Sequence, residues 1–225
     1  MKKAFPLTLL MSAVCMLAAC GGDGTQSSAE PPATAPDSEL KIPELGAGVY
    51  TVSSAQGADL IVGRYTAGAD GARLLYFVDA DEKVETLLAR ADEKSKFTLI
   101  AGALESSDVA FLKSTSQSSE ILEVSSAAGS YQMRLPNSEV AEFSILGSGA
   151  LQAAAGMQSS CKLQGLVLAT SLPNMLKLKL STTACAALTP DFEGVLVLDS
   201  NEKPAAYRLL STDSATLRDY WVYRN

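Results

Sequence analysis

From Gly48 onward, short apolar runs alternate with turn-forming residues. The runs cover residues 49–53, 60–65, 73–78, 97–101, 109–112, 121–124, 131–135 and 141–146, with Gln56-Gly57, Ala69-Asp70-Gly71, residues 114–119 and Pro136-Asn137 between them. Runs of about four to eight residues spaced about ten apart predict an all-β antiparallel fold, a sandwich or barrel of roughly 10–14 short strands. Asp70-Gly71 between two such runs predicts a hairpin. One segment fits two patterns. Val84, Leu87, Leu88 and Ala91 recur at helical spacing, so residues 84–91 read either as one short helix or as the return strand of a hairpin turning at 80–82. Strand neighbours on both sides favour the strand. Residues 147–160, rich in Gly, Ala and Ser, read as a linker splitting the β-rich region 46–225 into two units, or as a weak strand.

The second half contains a more specific pattern. Cys161 and Cys185 flank two apolar runs that meet at Ser171-Leu172-Pro173-Asn174. Folding the hairpin about Pro173 sets Cys161 opposite Cys185, Leu166 opposite Leu180 and Leu168 opposite Leu178. Lys177 and Lys179 then share the cysteine face. Opposed antiparallel residues lie about 4.5–5.5 Å apart at Cα, within disulfide reach. Three further strands are predicted at 194–198, 205–210 and 217–223. The last gathers Tyr220, Trp221 and Tyr223, a candidate recognition surface whose plainer role is packing against the core.

The first forty-five residues follow different rules. Lys2 and Lys3 precede an apolar stretch, 4–16, too short to span a bilayer as a helix. Leu17-Ala18-Ala19-Cys20 follows, an aliphatic residue and two small residues before a cysteine. This resembles the lipobox of bacterial lipoproteins. The resemblance implies a signal peptide over 1–19 and a lipid on Cys20. Gly21, rather than aspartate, after the cysteine implies an outer-membrane address, facing either the periplasm or the cell surface. Residues 20–45, with Gly21, Gly22, Gly24, Pro31, Pro32, Pro36 and Pro43, read as a disordered tether. Lipobox, tether, the Gly48-Val49-Tyr50 entry and the Cys…Cys hairpin together resemble small β-rich envelope lipoproteins of Gram-negative bacteria, a resemblance that carries over no catalytic or binding residue.

Charge and composition narrow the chemistry. Removing Lys2 and Lys3 from 18 basic residues leaves 16 against 25 acidic ones, a net charge of −9. That balance argues against nucleic acid as a partner and leaves membrane attachment to the lipid. Histidine is absent, which removes the commonest general base and the commonest zinc ligand. With Cys161 and Cys185 expected to be bonded, no metal site and no cofactor is predicted. Ser159-Ser160-Cys161-Lys162 spells the S-x-x-K of penicillin-binding proteins, but its lysine opens a predicted strand and no K-T-G follows. Asp79 and Asp81 begin like a calcium loop, but Lys83, Val84 and Arg90 stand where ligands and the required glycine belong. The reading is a lipid-anchored, non-catalytic binding or structural module whose partner is an envelope protein, a glycan or a small ligand. The alternatives are an envelope hydrolase using carboxylates or a Ser–Lys pair, and a barrel enclosing an apolar ligand.

Overall fold

The structure is a computed structural model describing residues 39–154, 161–199, 203–213 and 216–225. It contains fourteen antiparallel strands and one turn of 3-10 helix, Val124–Ala127. The first six strands are β1 (Gly48–Gln56), β2 (Asp59–Ala67), β3 (Arg73–Val78), β4 (Val84–Arg90), β5 (Thr98–Ala101) and β6 (Phe111–Gln117). They form an open sheet in the order β5-β4-β3-β2-β1-β6. The other eight are β7 (Gly129–Arg134), β8 (Val140–Ile145), β9 (Ala150–Ala153), β10 (Lys162–Leu168), β11 (Met175–Thr183), β12 (Asp191–Val197), β13 (Ala205–Asp213) and β14 (Thr216–Arg224). They close an up-and-down barrel in which each strand pairs with the next and β14 returns to β7. The segment 84–91 is therefore a strand. The change from sheet to barrel falls between β6 and β7, not at 147–160, because β9 lies inside the barrel between β8 and β10. Sheet and barrel belong to one compact unit, Ser38–Asn225.

Barrel strands alternate as their sequence does. Tyr131 and Met133 on β7, Phe143 and Ile145 on β8, Leu163 and Val167 on β10, and Leu176, Leu178 and Leu180 on β11 all point into one buried cluster. Eight strands give an interior just wide enough for side chains to fill it. Tyr207, buried in this cluster, has its phenol pushed up to about 12, first by desolvation and then by neighbouring Tyr131.

The sheet buries both faces. One face packs Leu74, Tyr76, Val84 and Leu87 against Met175, Val197 and Leu210 on the outer wall of the barrel. The other packs Val52, Tyr65, Leu75, Phe77 and Leu88 under a cover that includes Leu40, Ile42, Leu45 and Phe97. The disordered-tether reading therefore extends too far. Lys41 donates its N–H to the Ser107 carbonyl at 2.7 Å and accepts from the Val109 N–H at 2.9 Å, so 39–45 is part of the fold. Residues 1–38 lie outside the described residues.

Two charged links join sheet to barrel. Arg64 of β2 pairs with Asp199 and donates to the Leu198 carbonyl at 3.1 Å. Asp219 of β14 accepts from Arg208 Nε at 2.8 Å and from the Val84 N–H of the sheet at 2.9 Å, and Arg208 also reaches the Glu82 carbonyl. The connecting segment is pinned by Asn174, whose φ is +57°. Its side-chain Oδ1 accepts from the Glu120 N–H at 2.8 Å, and its Nδ2 donates to the Ser118 carbonyl at 2.9 Å. Leu122 of this segment enters the barrel core, so the strand expected at 121–124 gives way to a core plug and the 3-10 turn.

Candidate functional site

The outer wall of the barrel and the sheet are not in contact along their whole length. Beside their shared core a groove of about 740 Å³ opens between β3, β4 and β5 on one side and β11, β12 and the 169–172 loop on the other. A smaller hollow of about 330 Å³ continues from it, sharing Leu74, Ala89, Ile100, Lys177 and Val195. These volumes are of the size that small-molecule sites occupy. Ile100 keeps 36% of its surface exposed there, an apolar side chain left uncovered beside a buried core.

Arg73 and Arg90 border the groove from the sheet, but their guanidiniums turn to the sheet's other face, and both are held rigidly. Arg73 donates Nε to the Tyr65 hydroxyl at 3.0 Å and Nη1 to the Gly68 and Ala72 carbonyls, each at 2.9 Å. Arg90 donates Nε to the Gly71 carbonyl at 3.1 Å, Nη2 to Glu44 at 3.1 Å, and lies 5.2 Å over the Phe97 ring. Glu44 also approaches Arg73 Nη2 at 3.4 Å. Lys96, on the same rim, reaches Glu39 at 3.3 Å with both side chains well exposed, the kind of pair that contributes little and exchanges readily. Lys177 projects from β11 into the middle of the groove and forms no ion pair among the described residues. The Asp70 carboxyl at the mouth is held below the ordinary aspartate range, first by the Ser171 hydroxyl and then by the Ala72 N–H.

Another hollow, about 620 Å³, lies on the exposed barrel wall around Leu166. Its Lys179 and Glu193 satisfy each other at 2.9 Å, and it lacks a facing wall from the sheet, so the groove is the better candidate.

The residues singled out in the sequence fall elsewhere. Cys20 lies outside the described residues. Cys161 and Cys185 are bonded, with Cα atoms 4.3 Å apart. Their hairpin is one residue out of the expected register: Gly165 faces Leu180, Leu166 faces Lys179 and Val167 faces Leu178. Cys161 consequently points into the barrel core, while Lys177 and Lys179 lie outside. The aromatic trio at the C-terminus is divided. Tyr220 is buried in the barrel, whereas Trp221 faces outward under the Arg208 guanidinium, 4.5 Å from its ring centre, and Tyr223 is half-buried on that same side. They do not form one surface.

The S-x-x-K lysine, Lys162, is exposed at the start of β10 next to the disulfide, and Ser159 lies outside the described residues. Asp79 serves its own turn, accepting from the Asp81 and Lys83 N–H groups at 2.8 Å. The groove residues were missed because they come from five separate strands and three loops. The one available signal was Lys177 and Lys179 interrupting an apolar run. Comparison of the chain with protein-family models, curated proteins and solved structures finds no match.

Proposed function

We propose that this protein is a lipid-anchored module of the bacterial cell envelope that binds rather than catalyses, with the groove between sheet and barrel as its binding surface. The observation that carries this reading is the contrast between a barrel interior filled by large side chains and an uncovered, partly apolar groove bordered by Lys177. A filled interior also argues against a ligand enclosed in the barrel. The lipobox supports attachment through Cys20, and Gly21 supports the outer membrane.

Two measurements test the parts separately. Cys20→Ala should abolish incorporation of labelled palmitate and membrane fractionation; retained label would overturn the anchoring. A photoreactive benzoylphenylalanine at Thr98, in the groove, should trap an envelope component in intact cells, whereas the same residue at Lys113, on the far edge strand, should not. Equal trapping at both positions, or none at Thr98, would overturn the binding surface.

A further inference from the structure

We propose that Cys185 is a site of reversible modification by thiols, at which the bond to Cys161 opens and re-forms while the barrel stays folded. The two sulfurs of this disulfide are not equivalent. Cys161 has no exposed surface and belongs to the apolar core of the barrel. Cys185 is half-buried just after β11, and its Sγ lies in an exposed setting, 3.5 Å from the Thr183 carbonyl oxygen and 3.8 Å from that of Lys162. Thiol–disulfide exchange depends on which sulfur a thiolate can reach. The attack runs in line with the S–S bond, so the incoming group must stand behind the sulfur it strikes. Cys161 offers no such approach, because none of its surface meets solvent. Cys185 does.

The surroundings of Cys185 have room for an adduct. A hollow of about 440 Å³ is lined by Ala186 and Ala187, the next residues along the chain, and by Pro136, Asn137 and Pro190. The loop that carries Cys185 also has seats of its own. Leu188 is buried in the barrel core, the Thr182 N–H donates to the Pro190 carbonyl at 2.6 Å, and the Thr182 hydroxyl donates to the Thr189 carbonyl at 2.9 Å. None of these contacts involves sulfur. They hold the loop against the barrel when the S–S bond is broken, and they keep Cys185 within reach of Cys161.

A thiol is the only co-reactant needed. Its thiolate attacks Cys185 Sγ, a new S–S bond forms there, the 161–185 bond breaks, and the electron pair leaves on Cys161 Sγ. An uncompensated charge in an apolar core is costly, so Cys161 takes up the proton that the thiol gave up. Two fates are open to the adduct. Cys161 attacks back at Cys185 Sγ, expels the thiolate and restores the original bond. Alternatively, a second thiol attacks the outer sulfur of the adduct; both protein cysteines are then reduced, and the two thiols are oxidised to one disulfide.

The test pairs two variants of the full chain, Cys161→Ala and Cys185→Ala. Both lose the same bond, and thermal unfolding shows that each is folded. With glutathione disulfide under native conditions, Cys185 in the first variant should form the mixed disulfide at least about tenfold faster than Cys161 in the second. In urea the two should react alike. Equal native rates, or a faster Cys161, would overturn the proposal. The wild-type chain gives a second reading that needs no variant. After exposure to reduced glutathione well below the unfolding temperature and an acid quench, peptide masses should place the adduct on Cys185 and none on Cys161. An adduct on Cys161, an adduct on neither, or adducts confined to molecules that have lost amide protection in β10 and β11 would each overturn it. Repeating the reaction with a thioredoxin that lacks its resolving cysteine separates the sources: adducts with both reagents admit protein thiols, and an adduct with glutathione alone restricts the site to small ones.

Discussion

The sheet and the barrel solve the same burial problem in opposite ways. Barrel strands have one buried face, and β7, β8 and β11 alternate buried and exposed positions along most of their length. Sheet strands near the barrel are covered on both faces, so β3 buries five consecutive residues and the second half of β2 does the same. A strand buried twice reads as a continuous apolar run rather than an alternating one. Each part is therefore vulnerable in its own way: at every position in the central sheet, but only at alternate positions in the barrel. The same difference locates the groove, which exists because a twisted open sheet cannot follow the wall of a closed barrel over its whole length.

The largest effect is expected where the two parts are tied together. Asp219 holds Arg208 on the barrel and the Val84 N–H on the sheet, and both charged side chains are nearly buried, 13% and 5% exposed. Asp219→Ala removes the carboxylate that faces a nearly buried guanidinium and should cost about 3–5 kcal/mol in urea unfolding. A cost below about 1 kcal/mol would show that the tie is incidental to stability and that apolar packing alone joins the parts.

Next in size is a direct test of one-sided against two-sided burial. Leu75→Ala and Tyr76→Ala, neighbours on β3, should each cost about 2–5 kcal/mol, because they enter different cores. On β11, Leu178→Ala should cost a similar amount, while Lys177→Ala and Lys179→Ala should stay within about 0.5 kcal/mol. If one of the β3 pair proves silent, the sheet has only one working face and the comparison fails.

The same difference decides what could be read in advance. The barrel strands, their turns and the disulfide were legible because alternation is a local property. The hairpin register was misjudged because matching leucine to leucine ignored Gly165. A Cβ at that position would stand 2.0 Å from the Lys179 carbonyl oxygen, so only glycine permits the observed approach, and the pairing shifts by one. Ala184, at φ +57°, then takes up the extra residue and returns Cys185 to Cys161. Residues 114–119 looked like a turn because they are Ser- and Thr-rich. Most of them belong to β6, an exposed edge strand whose polar side chains discourage pairing with other chains. The groove was not legible, since its residues meet only through the docking of sheet on barrel.

The disulfide should act on the barrel with little effect on the sheet. Cys161 and Cys185 are 24 residues apart, a loop whose closure contributes about 3 kcal/mol on the chain-entropy model. Cys161→Ser should therefore lower barrel stability by about 2–4 kcal/mol and leave hydrogen exchange in β2 and β3 unchanged at temperatures well below unfolding. Equal loss of protection in β3 would mean that the two parts unfold as one unit, and the contrast drawn between them would not extend to dynamics.

The smallest effect is expected at the groove mouth, where the β2–β3 hairpin touches the β10–β11 loop. Asp70 accepts the Ala72 N–H at 3.0 Å and the Ser171 hydroxyl, and these bonds favour its ionised form. Its pKa is lowered in the fold, so the contact contributes stability above the ordinary aspartate pKa of about 3.9 and loses it as pH falls through the lower folded value. The carboxyl is well exposed, so the change should barely register in global unfolding. It should instead appear locally, as movement of the Ala72 and Ser171 amide signals when a magnetic-resonance titration passes below about pH 4. Asp70→Asn keeps an acceptor in place without the titrating proton, so those two signals should stay flat while the rest of the spectrum titrates unchanged. If they move equally in the variant, acid loosens the mouth through some other carboxylate, and the Glu44 link to Arg73 and Arg90 on the sheet's other face is the next one to remove.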